Sequence, residues 1–131
     1  MKTKIIKVEL KSDERGWFAE LLKKSQVEKK EFGQAALATS KPGAIRGNHC
    51  HSRKTEWFCV ICGKAKLVLE DAKTGERKEL ILDANNLQVI EIEPNIYHAI
   101  QNIGNDIMYL FHYVDEPFDP NDPDTIPKKV I

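Results

Sequence analysis

The chain has 131 residues, enough for one domain with a hydrophobic core and too few for two. Twenty basic side chains balance twenty acidic ones, so no net field draws the protein to nucleic acid or to an anionic membrane surface. No apolar run approaches the roughly 20 residues that cross a bilayer, and Met1-Lys2-Thr3-Lys4 leads into a short strand rather than an apolar signal segment, so a cytoplasmic protein is expected.

Residues 4–10 read as a strand, with a turn at Ser12-Asp13-Glu14-Arg15-Gly16. Residues 17–30 read as a strand passing into a short charged helix or loop. Residues 33–40 are strand-like and end at the turn Lys41-Pro42-Gly43. Short strands then follow near 44–51, 55–62, 64–71, 78–82, 88–93, 96–102 and 107–114. Polar or glycine-bearing breaks separate them, such as Ser52-Arg53-Lys54, Lys73-Thr74-Gly75-Glu76 and Gly104-Asn105-Asp106. Short strands at this spacing predict an all-β sandwich or barrel. The segment 115–131, with four prolines and five acidic residues, is expected to wrap the surface or a partner subunit outside the sheets.

Cys50, Cys59 and Cys62 are an odd, bunched set that makes a poor disulfide framework. Cys59-Val60-Ile61-Cys62 spells C-x-x-C, but strand positions three apart face opposite ways, so the two thiols are expected to be ordinary packing residues.

The chemistry lies in Gly43 to Gly63. His49 and His51 are two apart, which on a strand points both imidazoles to one face. Glu56 lies an odd number of residues further on, and a hairpin turn at Ser52-Arg53-Lys54 is expected to reset its phase so that it faces them from the neighbouring strand. His98 follows Pro94-Asn95 and shares a strand face with Ile100 and Asn102. Three imidazoles and one carboxylate, His49, His51, Glu56 and His98, suit one divalent metal ion: zinc, or else iron, nickel or manganese.

These residues resemble the cupin family. Gly43, His49, His51, Glu56 and Gly63 fit its first motif at every position, and Pro94, His98 and Asn102 resemble its second. Asn95 departs from that second motif, standing where a glycine is usual. Asp13-Glu14-Arg15-Gly16-Trp17-Phe18-Ala19-Glu20 and Ile45-Arg46-Gly47-Asn48-His49 resemble stretches of the dTDP-4-dehydrorhamnose 3,5-epimerases. Thr39 to His49, with Phe118 to Thr125, is closer to the cupin half of bifunctional capsular-polysaccharide enzymes that epimerise and reduce UDP-4-keto-6-deoxy amino sugars. The related 3,4-ketoisomerases share Arg46-Gly47 and His49-x-His51 but typically have a glutamine near the Glu56 position.

The resemblance implies a single-domain jelly-roll barrel, a homodimer, and a nucleotide-sugar epimerase or isomerase of surface-polysaccharide synthesis. No glycine-rich dinucleotide site occurs in the sequence, so a separate protein is expected to make and reduce the keto sugar. In the rhamnose-type enzymes the residue matching His49 is the catalytic base, a role that competes with metal ligation. The remaining candidate proton carriers are His112, Tyr97 and Glu56 (if it leaves the metal). His112 shares a strand face with Met108, Leu110 and Val114, whereas parity turns Tyr97 away from His98, towards packing.

Arg15 and Arg46 suit a pyrophosphate, or else are solvated charges. Phe18, with Trp17 and Trp57, suits stacking on a nucleotide base, although parity puts Trp57 on an outer face, where a dimer contact or sheet packing fits better. Asn102 either hydrogen-bonds within the site or ends its strand. A metal-dependent oxygenase and a non-catalytic sugar- or metal-binding cupin are the competing readings.

Overall fold

The computed structural model describes residues 1–131. Alternating side chains and frequent turn residues divide the chain into short strands, as the spacing predicts. The first half holds β1 (Lys4–Lys7), β2 (Leu10–Asp13), β3 (Gly16–Ala19), a 3-10 turn at Lys24–Gln26, β4 (Gln34–Ser40), β5 (Ile45–Cys50) and β6 (Glu56–Cys62). The second half holds β7 (Lys64–Asp71), β8 (Arg77–Asp83), β9 (Gln88–Ile92), β10 (Ile96–Asn102), β11 (Met108–Val114) and β12 (Ile126–Pro127).

Two five-stranded antiparallel sheets, in the orders β1-β9-β6-β11-β4 and β12-β5-β10-β7-β8, face each other. This is the all-β jelly-roll barrel of a cupin. Side chains from both sheets fill its interior, including Phe58, Val60 and Ile90 from one, and Leu67, Leu69 and Ile100 from the other. Each such side chain contributes roughly 1.5–3 kcal/mol by leaving water.

Residues 56–60 of β6 are buried on both faces, which explains its unbroken apolar character. Its outward residues Trp57 and Cys59 join Val8, Leu87, Val89 and Tyr113 in a second cluster, covered by Leu21, Leu22 and Val27. Trp57 is therefore a packing residue, and its indole N–H donates to Glu91 at 3.0 Å.

Two expectations need correction. Residues 4–10 do not form one strand. Val8 is buried with its N–H donating to Leu87, and the chain leaves the sheet there, so Leu10 opens the separate β2–β3 hairpin. The tail does not lie wholly outside the sheets either. Ile126 and Pro127 pair with Cys50 and His49 as an edge strand, a place where proline's missing N–H costs no ladder bond.

Candidate metal centre

The barrel places the four predicted ligands by three local devices. The first is a bulge in β5. His98 pairs with His49, but Ala99 pairs with Gly47, leaving Asn48 as the extra residue. Gly47 has φ +94, and a Cβ there would meet the His98 carbonyl oxygen at 2.7 Å, so only glycine fits. The second is the bend at Ser52-Arg53, which is not the expected hairpin: it carries the chain from the sheet of β5 to that of β6, so Glu56 meets the histidines from the opposite sheet. The third is the turn into β10. Asn95 takes φ +64, a conformation asparagine tolerates, and its N–H donates to the His51 carbonyl at 2.7 Å. That is how asparagine serves where glycine is usual.

One candidate ligand atom from each of His49, His51, Glu56 and His98 falls in a group whose members all lie within 4.8 Å of one another. Donors on one ion at about 2.1 Å are at most about 4.2 Å apart, so movements of a few tenths of an ångström close the set. His98, Glu56 and His51 are buried, while His49 is half-buried at the mouth.

Hydrogen bonding at the far side of two rings decides what faces inward. His51 Nδ1 lies 2.6 Å from the Asp124 carbonyl oxygen, and His98 Nδ1 lies 3.1 Å from that of Ile96. A carbonyl only accepts, so each neutral ring carries its proton on Nδ1 and turns the lone pair of Nε2 inward. Those lone pairs meet Glu56, at 3.4 Å from His51 and 2.9 Å from His98. Despite the close His98 approach, Glu56 Oε2 and His98 Nε2 are both buried without a hydrogen-bond partner. Acceptors that face one another at this range repel unless a proton or a metal ion lies with them. The donor set and its orphaned atoms fit a divalent metal ion.

Burial raises the Glu56 carboxyl, but His51 and His98 outweigh it and hold the group well below the usual carboxylate range. Burial, reinforced by His98 and His51, lowers His49 to about 4. Burial also works against protonation of His51, yet Glu56 and the Asp124 carbonyl bring its pKa up overall. Near neutral pH the carboxylate is therefore ionised and His49 neutral, the states a metal ion needs.

A cavity of about 220 Å³ opens at His49, Glu56 and His98, lined also by Ala38, Arg46, Gly47, Phe58, Ile100, Leu110 and His112. Arg46 is pinned at the rim, with Nε and Nη2 donating to the Thr39 carbonyl at 3.0 and 2.6 Å and Nε also to Ser40. His112 enters from β11, its ring 5.9 Å from that of Phe58, and its Nδ1 is buried without a partner. Burial lowers its pKa. A larger groove of about 410 Å³ lies elsewhere, rimmed by Lys23, Lys24, Lys29 and Lys30, but it gathers no imidazole or cysteine.

The other predicted residues are not in this cavity. Arg15 and Phe18 stand on the exposed β2–β3 hairpin, where Arg15 pairs with Asp13 at 2.6 Å and both line a separate shallow hollow. Tyr97 faces outward, with the Lys128 ammonium 5.1 Å from its ring centre, as parity implied. Asn102 is buried, but its amide is fully used by the backbone: it donates to Ser40 and Asp106 and accepts from Gly104. It locks the turn into β11 and is not available to a ligand. Cys50 and Cys59 are buried and Cys62 exposed, all unpaired. Sequence reading missed Asp124, whose only local signal is an acidic residue able to take φ +47 in a proline-rich tail.

Residues 11–126 match the family model of the polysaccharide biosynthesis C-terminal domain. The chain is 36% identical over 118 residues to a UDP-2-acetamido-2,6-beta-L-arabino-hexul-4-ose reductase of Pseudomonas aeruginosa, covering 90% of this chain and 30% of that protein. It is 33% identical to the capsular polysaccharide assembling protein CapF of Staphylococcus aureus, with a TM-score of 0.74 over 94% of this chain and 33% of that one. The chain thus spans about a third of the length of these relatives. The dTDP-6-deoxy-D-glucose-3,5-epimerase RmlC of Legionella pneumophila, at 22% identity, shares the fold with a TM-score of 0.80 over 91% of this chain and 69% of its own. No helix is long and apolar enough to cross a membrane. A matching family model over residues 11–126, most of this jelly-roll barrel, makes the chain a member of the polysaccharide biosynthesis C-terminal domain family.

Proposed function

We propose that the protein is an epimerase or isomerase of a nucleotide-linked 4-keto-6-deoxy sugar in surface-polysaccharide synthesis. One divalent ion, zinc first among the choices, is held by His49, His51, Glu56 and His98. The observation that carries this reading is the convergence of four donors, three of which line one cavity together with an uncommitted imidazole, His112.

A hydrogen on carbon next to a ketone is acidic because its loss leaves an enolate, with the charge spread onto oxygen. An ion in this donor set supplies Lewis-acid stabilisation of that charge. His112 takes the proton. Its lowered pKa leaves the ring neutral near pH 7, and its buried Nδ1 has no competing partner. With His49 in the donor set, His112 is the one imidazole of the cavity free for this work. Return of a proton to the other sugar face falls to water entering the mouth. Phe58, Ile100 and Leu110 keep the inner wall dry, and Arg46 at the rim binds the diphosphate. A homodimer belongs to the same proposal, since the edge strands β4 and β8 expose Leu37 and Ile81 for a second copy to cover.

Incubation with UDP- or dTDP-4-keto-6-deoxy sugars in heavy water tests the reading. Deuterium should enter at C3 or C5 without oxygen uptake. No incorporation across several such sugars would count against the epimerase or isomerase reading, and metal-dependent oxygen consumption would point to an oxygenase instead.

A further inference from the structure

We infer that the C-terminal segment is a working part of the metal centre: Asp124 is a positioning residue that holds His51 in the tautomer and orientation needed to bind the ion. The inference rests on the metal reading of the four-ligand site.

The two rings that turn Nε2 inward are held in different ways. The partner of His98 is the carbonyl of Ile96, two residues away on the same strand, so β10 fixes that ring by itself. The partner of His51 is the carbonyl of Asp124, 73 residues later in the chain. His51 lies just beyond the end of β5, where the Asn95 N–H holds its backbone carbonyl, and the hydrogen-bond partner of its ring Nδ1 comes from the tail. The orientation of the ring therefore depends on how firmly the tail is docked.

The docking is extensive and centres on Asp124. Its carboxylate accepts the N–H groups of Ser52 and Arg53, each at 2.9 Å, and the Ser52 hydroxyl. Its side chain is only 3% exposed. These bonds close the bend that separates His51 from Glu56, so one residue holds the turn with its side chain and the ring with its main chain. Lys54, itself buried, donates to the carbonyl of Pro123 at 3.2 Å. Beyond Asp124 the strand pairing of Ile126 and Pro127 runs opposite Cys50 and His49. The bulged Asn48 then takes three backbone N–H groups, from Lys128 on its carbonyl and from Val130 and Ile131 on its side chain. Val130 is buried against Val68 and Ala99. The same bulge that aims His49 is thus clamped by the tail.

Loss of a group that orients a metal-bound histidine typically weakens metal binding about 10- to 100-fold. The test uses the full chain and the variant Asp124→Gly, because glycine keeps the left-handed backbone at φ +47 while removing the carboxylate. Zinc affinity is measured by competition with a chromogenic chelator. The His51 tautomer in metal-free protein is read from its ring nitrogen shifts by NMR, a signal that general destabilisation does not move. The expected result is zinc binding weakened about 10- to 100-fold, with the His51 proton no longer confined to Nδ1 and the His98 ring unchanged.

Should D124G fail to fold, S52A removes only the hydroxyl bonded to Asp124, and a few-fold loss of zinc affinity with the same tautomer change is expected. Unchanged affinity and an unchanged His51 signal would overturn the role of Asp124 while leaving the metal site standing. Absence of zinc binding by the unaltered protein would instead overturn the metal reading and this inference with it.

Discussion

Glu56 Oε2 and His98 Nε2 lie 2.9 Å apart, both buried, and neither has a hydrogen-bond partner. Two acceptors held this close inside a barrel are unfavourable unless a proton or a metal ion lies with them. The rest of the centre is arranged to keep them so, with a backbone carbonyl behind His98 and another behind His51.

Of the four proposed ligands, Glu56 is the one whose loss should be felt most. Glu56→Gln keeps the shape and removes the charge, and zinc affinity should fall at least about 100-fold. In the unaltered protein, zinc at about 100 times its dissociation constant should add about 2.7 kcal/mol of stability, seen as a rise in melting temperature that E56Q lacks. Calorimetric titration and thermal melts check both.

His112→Phe preserves the ring volume and deletes the proton carrier. Deuterium incorporation into the keto sugar should fall about 10²- to 10⁴-fold while zinc content is unchanged. Loss of both together would assign His112 to the structure of the site rather than to proton transfer.

Asn102→Ala should act on stability alone. It leaves the carbonyls of Ser40 and Asp106 and the N–H of Gly104 without their partner around a buried position. A cost of about 2–4 kcal/mol is expected in urea unfolding, with zinc affinity unchanged.

Asp124 makes stability depend on acid. Burial opposes ionisation, but the Ser52 hydroxyl and the Ser52 and Arg53 N–H groups outweigh it and lower the carboxyl from 3.8 to about 2. A carboxylate depressed in the folded state stabilises it fully above the unfolded value, and that contribution is lost as pH falls through the folded one. The stability gap between the unaltered protein and D124G should be on the order of 1–2 kcal/mol at pH 6, and should shrink between about pH 4 and pH 2. Unfolding curves of the two proteins across that range measure it.

Much of this was legible from residue order because the determinants are local. Period-two alternation and the turn residues marked the strands from β4 to β11, and the same parity put His49 beside His51 and turned Tyr97 away. Asn95 broke a sequence pattern but not its physics, since asparagine accepts the left-handed backbone that the turn requires.

What stayed hidden depends on contacts between distant parts of the chain. Arg15 and Phe18 carry a family-like sequence, yet the β2–β3 hairpin that bears them belongs to neither main sheet. Asn102 has the right strand face, but three backbone groups claim its amide. Asp124 meets Ser52 across 72 residues, a separation no periodicity reports.

Closure of three imidazoles and one carboxylate on a single ion is read from X-ray absorption at the zinc edge, on protein loaded with zinc and freed of excess. One zinc per chain is expected, bound by three histidine nitrogens and carboxylate oxygen at about 2.0–2.2 Å, with the histidine signal reduced in His98→Ala. A protein that retains no zinc, or one whose zinc spectrum is unaltered by H98A, would contradict that closure.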